Sequence, residues 1–277
     1  MKRKIIPAVL LAVFLLAAKS QAPAVWLTGF LGPENLIFDK TGTLFITDTN
    51  NLWKVTPDKK MEKLYTRDSK LDGTSLCGVV LAREGAIYFS ASSRILKLAA
   101  DGKISEYAKG FKLANGLAID EDGNLYTCDS NAREIMAITP DGKIKTLVKG
   151  EGSVNGLKYQ QSTKRLYFTS MLSGKVEYVQ LKPGPEAGEP VLVADLGTGL
   201  DDMALAPNGD LYVCQYLRGK IFKVTADGQK ELIAEGIKGP SSAAFGVTSA
   251  DKDTLYILEK GANLKFNGTS VLTLNLK

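Results

Sequence analysis

One pattern recurs along the chain at a spacing that few architectures accommodate. Glu34-Asn-Leu-Ile-Phe-Asp39, followed by Lys40-Thr-Gly-Thr43 and the apolar run Leu44-Phe-Ile46, is the first copy. It returns with changes as Cys77-Gly-Val-Val-Leu-Ala82, Asn115-Gly-Leu-Ala-Ile-Asp120, Asn155-Gly-Leu-Lys-Tyr-Gln160 and Asp201-Asp-Met-Ala-Leu-Ala206. Each leads into a second apolar run: Ile87-Tyr88, Leu125-Tyr126, Leu166-Tyr167 or Leu211-Tyr212. A less regular sixth copy runs from Ser241-Ser-Ala-Ala-Phe245 to Leu255-Tyr256.

The second runs start at positions 44, 87, 125, 166, 211 and 255, so the period drifts between 38 and 45 residues. With short β-branched and aromatic runs, such a period predicts a β-propeller with one blade per repeat. Thr41-Gly42, Asp122-Gly123 and Asn208-Gly209 separate the runs and supply the left-handed backbone that tight hairpins need. Third strands follow at Asn51–Thr56, Arg94–Leu98, Glu134–Thr139 and Lys220–Thr225. The expected fold is therefore all-β, a six-bladed propeller of four-stranded antiparallel blades. Ring closure demands a blade shared by the two ends of the chain, because an open blade leaves unpaired strand edges. The runs Val25–Phe30 and Ser270–Leu276 suit that task, beside the strand near Ser242.

Residues 1–24 read as a processing segment: Lys2-Arg3-Lys4, an apolar run from Ile5 to Ala18, then the small-x-small site Ala22-Pro-Ala24. The apolar run is short for a spanning helix. The expectation is an exported protein, periplasmic or secreted, that touches a membrane only if the leader stays as an anchor. Residues 25–277 form one propeller domain. Without Lys2, Arg3, Lys4 and Lys19 the formal charge falls from +5 to +1, so the basicity belongs to the leader. Nothing here resembles the basic face a nucleic-acid partner requires.

Three cysteines do not make a disulfide framework in a chain of 277 residues. Cys128 and Cys214 fall in second strands of non-adjacent blades and read as buried thiols packing like small hydrophobes. Cys77 shares its register with Glu34, Asn115, Asn155 and Asp201, which places it on the tunnel.

That register carries the functional argument. Innermost strands of a propeller run along the central tunnel, so equivalent positions form a ring around its axis. Four of the six ring positions bear carboxylate or carboxamide oxygens: Glu34, Asn115, Asn155 and Asp201. Asn-Gly is also the commonest hairpin turn, and alone Asn115-Gly116 and Asn155-Gly156 read as turns. Four oxygen-bearing residues at one register instead favour a metal, since converging polar groups are costly when dry and unpaired. Calcium, or another hard divalent cation, accepts both carboxylate and carboxamide. Zinc fits poorly in a chain with no histidine.

The mature chain resembles the senescence marker protein, gluconolactonase and luciferin-regenerating enzyme family of calcium-dependent six-bladed propellers. The resemblance rests on Glu34-Asn-Leu-Ile-Phe38, Asn155-Gly-Leu157, Leu200-Asp-Asp-Met203 and Ser242-Ala-Ala-Phe-Gly246. It implies metal ligands at Glu34, Asn155 and Asp201, with Asn115 as a fourth ligand or a substrate contact. Where sugar-lactone hydrolases of the family carry an arginine ahead of the third-blade asparagine, this chain has Lys112-Leu113-Ala114, which disfavours a polar aldonolactone. The histidine pair of paraoxonase-like relatives is missing, and the intact ring argues against the strictosidine synthase branch.

A calcium ion with an open position polarises a carbonyl or phosphoryl oxygen. Asp201 then serves as general base or as nucleophile. Asp202 is a second candidate base, although strand alternation turns it from the tunnel. Cys77, Asp202, Tyr216 and Phe245 are the candidate substrate contacts. The leading expectation is a calcium-dependent hydrolase of small lactones or esters. A phosphotriesterase and a non-catalytic, metal-containing binding module of the cell envelope are the alternatives, since propellers host many functions.

Overall fold

A computed structural model describes residues 22–150, 152–184, 186–262 and 265–277. The proposed leader falls largely in residues 1–21, outside the described residues. The described residues form six antiparallel sheets, one per repeat. Blade one comprises Asn35–Phe38, Leu44–Thr47, Asn51–Val55 and Met61–Thr66, from the axis outward. Blades two, three and five repeat this order, beginning at Leu76–Leu81, Ala114–Ile119 and Leu200–Leu205. Blade four begins at Val154–Gln160 and carries an extra short strand, Glu186–Ala187, on its long third strand Lys175–Lys182. The one helical piece among the described residues is a 3-10 turn at Tyr216–Arg218.

The sixth blade joins the chain ends. Pro240–Phe245, Thr254–Glu259 and Ser270–Asn275 are followed outward by Ala24–Thr28, with Ala24 opposite Thr273 and Thr28 opposite Ser270. The edge that an open ring would expose is paired.

Each blade is apolar on both faces, and the clusters between neighbouring blades are the core. Leu36, Leu44 and Ile46 of blade one meet Tyr256, Leu258 and Val271 of blade six. Cys214 and Ile221 of blade five meet Leu255 and Ile257 across the next interface. Burial of such side chains stabilises by roughly 1.5–3 kcal/mol each, which is why strand pairing alone need not hold the ring. Gly123 and Gly209 occupy the left-handed region, with φ of +82° and +92°, as their hairpins require.

A recurring irregularity positions the tunnel residues. In blades two to six the pairing of the innermost strand with its neighbour shifts register at one place: between Leu76 and Val79, Ala114 and Leu117, Val154 and Leu157, Leu200 and Met203, and Pro240 and Ala243. The two residues inside each shift are the ring residue and its successor. Such bulges re-aim side chains that regular pleating would send into the blade.

Candidate functional site in the tunnel

The bulges stack the tunnel in layers. The first holds Glu34, Cys77, Asn115, Asn155 and Asp201, all buried, and all line one cavity of about 370 Å³. The second holds Asn35, Gly78, Gly116, Gly156, Asp202 and Ser242. Beyond it Leu36, Val79, Leu117, Leu157 and Ala243 begin a wider apolar cavity of about 600 Å³ at the other mouth.

The second layer explains the Asn-Gly pairs, which lie inside strands rather than at hairpins. A Cβ on Gly78 would sit 2.4 Å from the Asn115 carbonyl oxygen, and one on Gly116 would sit 2.3 Å from that of Asn155. Adjacent inner strands approach too closely for any side chain there. Hydroxyls of the second strands stitch these carbonyls. Ser90 Oγ donates to Asn115 O at 2.7 Å, Thr47 Oγ1 donates to Cys77 O, and Thr169 Oγ1 donates to Asp201 O. Cys128 and Cys214 stand at the corresponding places in blades three and five. Both are free, buried and packed in interface clusters, and burial pushes their thiols up.

Polar residues fill the other half of the second layer. Asp202 Oδ2 accepts hydrogen bonds from Asn35 Nδ2 at 3.0 Å, Ser242 Oγ at 2.7 Å and Lys158 Nζ at 2.6 Å. This knot lies between the polar cavity and the apolar mouth. Asp202 is thereby engaged with Lys158 and does not line the cavity that holds Asp201, because successive strand residues face different ways. Its expected role as a base or substrate contact gives way to an internal one. Phe245 is also corrected. It ends the inner strand of blade six and lines the opposite, apolar mouth, stacked edge-on against Tyr212 at 5.1 Å. Tyr216 does line the polar cavity, and its hydroxyl donates to Gly261 O at 2.7 Å.

Electrostatics within the cavity are unusual. Burial, then the neighbouring carboxylate of Glu34, pushes the Asp201 carboxyl well above the ordinary range, against the opposing pull of Lys260. Burial and Glu34 likewise push the Cys77 thiol up to about 12, so it is a neutral thiol near pH 7. Lys260 was not expected here. Its Nζ pairs with Glu34 Oε2, and it lies 4.5 Å from the Phe266 ring centroid and 6.0 Å from that of Tyr216. Burial pulls its ammonium down, but Glu34 and Asp201 outweigh that and hold it above its ordinary value.

The position of Lys260, though not its charge, follows from the same register reasoning that found the ring. Five residues after each second-run anchor stand Thr49, Ser92, Ser130, Met171, Tyr216 and Lys260. All but Ser92 line the polar cavity, as a second ring at its mouth.

The donor set fits a hard cation in kind. Asn115, Asn155 and Asp201 make no side-chain hydrogen bond to the described residues, so oxygens from three blades face the cavity uncommitted, beside the carboxylate of Glu34. Among the described residues there is no group of three or more His, Cys, Asp or Glu side chains that could hold a metal. Two carboxylates and two carboxamides are what the tunnel offers, a set that suits calcium rather than a softer metal.

Fold and site together define a six-bladed propeller with an oxygen-lined tunnel. Residues 134–260 match a family model described as SMP-30/Gluconolactonase/LRE-like region, and over that stretch the chain carries this family's sequence pattern. Solved structures agree on the fold across most of the chain. A luciferin-regenerating enzyme is 19% identical, with 92% of this chain and 95% of that one covered and a TM-score of 0.74. A gluconolactonase from Xanthomonas campestris is 16% identical, with 99% of each chain covered and a TM-score of 0.74. A calcium-binding protein, regucalcin, from Agrobacterium tumefaciens is 16% identical, with coverage of 92% and 93% and a TM-score of 0.73. At these identities the likeness establishes the propeller alone. No protein of curated function matches the chain.

Proposed function

We propose that the polar end of the tunnel is the active site of a hydrolase acting on small lactones or esters. One observation carries the reading: Glu34, Asn115, Asn155 and Asp201, contributed by four blades, face a single cavity of about 370 Å³. The gluconolactonase-type family region supports a lactonase-type reaction. The calcium-binding relative supports calcium as the cation.

In this reading Glu34, Asn115, Asn155 and Asp201 hold the cation, which when bound would polarise the substrate carbonyl and stabilise the charge that develops on its oxygen. Asp201 supplies the base or the nucleophile. A carboxylate oxygen that faces the cavity is placed to take a proton from an attacking water or to attack the carbonyl itself. Cys77, held as a neutral thiol, contributes shape rather than a nucleophile. Leu76, Leu113, Met171 and Phe266 line the same cavity, so an apolar acyl or aryl group suits it better than a sugar acid. Export of the mature chain from a leader in residues 1–24 belongs to this proposal.

The second reading, a binding module, is favoured by the apolar cavity of about 600 Å³ at the opposite mouth, larger than the polar one. Hydrolysis of aliphatic lactones and aryl esters by the wild type and by Asp201→Asn separates the two. Turnover by the wild type that is lost in the variant supports the hydrolase. Binding of the same compounds without turnover supports the module.

A further inference from the structure

The first layer of the tunnel gathers two carboxylates, and the cation beside them comes from the chain itself. Lys260 reaches the cavity from the end of the second strand of blade six, and its side chain is only 15% exposed. Its ammonium meets Glu34 Oε2 and is backed by the rings of Phe266 and Tyr216. An aromatic seat of this kind favours a cation electrostatically. Glu34 Oε2 has no other hydrogen-bond partner, so the ammonium is its sole compensation among the described residues.

A divalent ion on Glu34 would contend with this arrangement. Calcium sits about 2.3–2.6 Å from its carboxylate ligands. With the ammonium already against the same oxygen, the two cations would share a site that water screens weakly.

We propose that Lys260 is the resident cation of the tunnel: its ammonium occupies the Glu34 side of the ring in the metal-free protein, and a divalent cation binds only by displacing it. The inference rests on reading the ring as a cation site, as above. It adds that the metal-free protein is folded with Glu34 charge-compensated, and that Lys260 sets how weakly the metal is held. Lys260 is thus a tethered competitor and not a ligand.

Calcium titration calorimetry on the metal-stripped full chain tests this, with wild type, Lys260→Gln, Lys260→Met and Lys260→Arg compared. The neutral variants should bind calcium at least about tenfold more tightly than the wild type, since a like charge has been removed from the site. Lys260→Arg, which keeps the charge, should bind as weakly as the wild type. Acetylation of wild-type lysines, read by mass spectrometry, supplies a measurement that needs no variant to fold. Modification at Lys260 should rise several-fold when saturating calcium replaces EDTA, as displacement frees the amine. Equal calcium affinity of wild type and neutral variants, or Lys260 acetylation unchanged by calcium, overturns the inference while leaving calcium binding in place. No calcium binding by any of the four proteins overturns the inference and the calcium reading together, and leaves the hydrolase question to turnover.

Discussion

Asp201 and Asp202 are adjacent in the chain and belong to different layers of the tunnel: Asp201 lines the polar cavity, while Asp202 Oδ2 lies 2.6 Å from Lys158 Nζ. Their substitution should therefore separate function from stability. Asp201→Asn should keep the thermal transition close to that of the wild type and lower lactone or ester turnover by about 100-fold or more, the usual scale for losing a positioned base. Wild-type turnover in that variant would take Asp201 out of the mechanism.

Lys158→Met leaves the Asp202 carboxylate buried with only Asn35 and Ser242 as donors. Breaking a buried pair from one side costs about 3 kcal/mol. Urea unfolding should show a loss of that order, and Lys158→Met with Asp202→Asn together should recover part of it. Strictly additive losses would mean that the two side chains are not coupled.

Gly116 and Gly142 make a matched comparison. A Cβ at Gly116 would press on the Asn155 carbonyl, whereas Gly142 has a φ of +82° and open space around it. Gly142→Ala should cost about 1–2 kcal/mol through backbone strain, with turnover intact. Gly116→Ala should disturb the ring and lower turnover as well as stability. Unchanged activity in Gly116→Ala would show that Asn155 tolerates displacement.

Cys77 sets a pH expectation. Its folded thiol is held up to about 12, so the neutral form persists at pH 8 and alkylation becomes fast only as pH climbs toward that value. Iodoacetamide labelling followed by mass spectrometry should be slow at Cys77 in the native chain at pH 8 and rapid in urea. Equal rates would place the thiol outside the buried ring.

The fold was readable because every repeat states it: two apolar runs, a glycine turn, and anchors at a near-constant period. The blade shared by Ala24–Thr28 and Ser270–Asn275 followed from the need to close the ring, which pointed to Val25–Phe30 and Ser270–Leu276. Ring residues were readable because inner strands align equivalent positions on one axis. Placement of individual substrate contacts was less so. Phe245 shares a strand with Ser241 but ends it at the opposite mouth, and a strand of six residues spans much of the tunnel. The bulges that aim Asn115 and Asp201 leave no composition signal beyond the glycine after Asn115. Lys260 lay in a second alignment, at the ends of the second strands, where five other residues give no hint of charge. Its partner Glu34 is more than 200 residues away in the chain and a neighbour only because the ring closes.

Acid release in a pH-stat tests the central claim most directly, using the mature chain stripped of metal, a panel of aliphatic and aromatic lactones and aryl esters, and calcium restored or withheld. The account predicts turnover of apolar lactones or aryl esters that rises when calcium is restored. Absence of acid release across the panel in both conditions, despite a calcium-induced rise in melting temperature, would contradict it and make the tunnel a binding site.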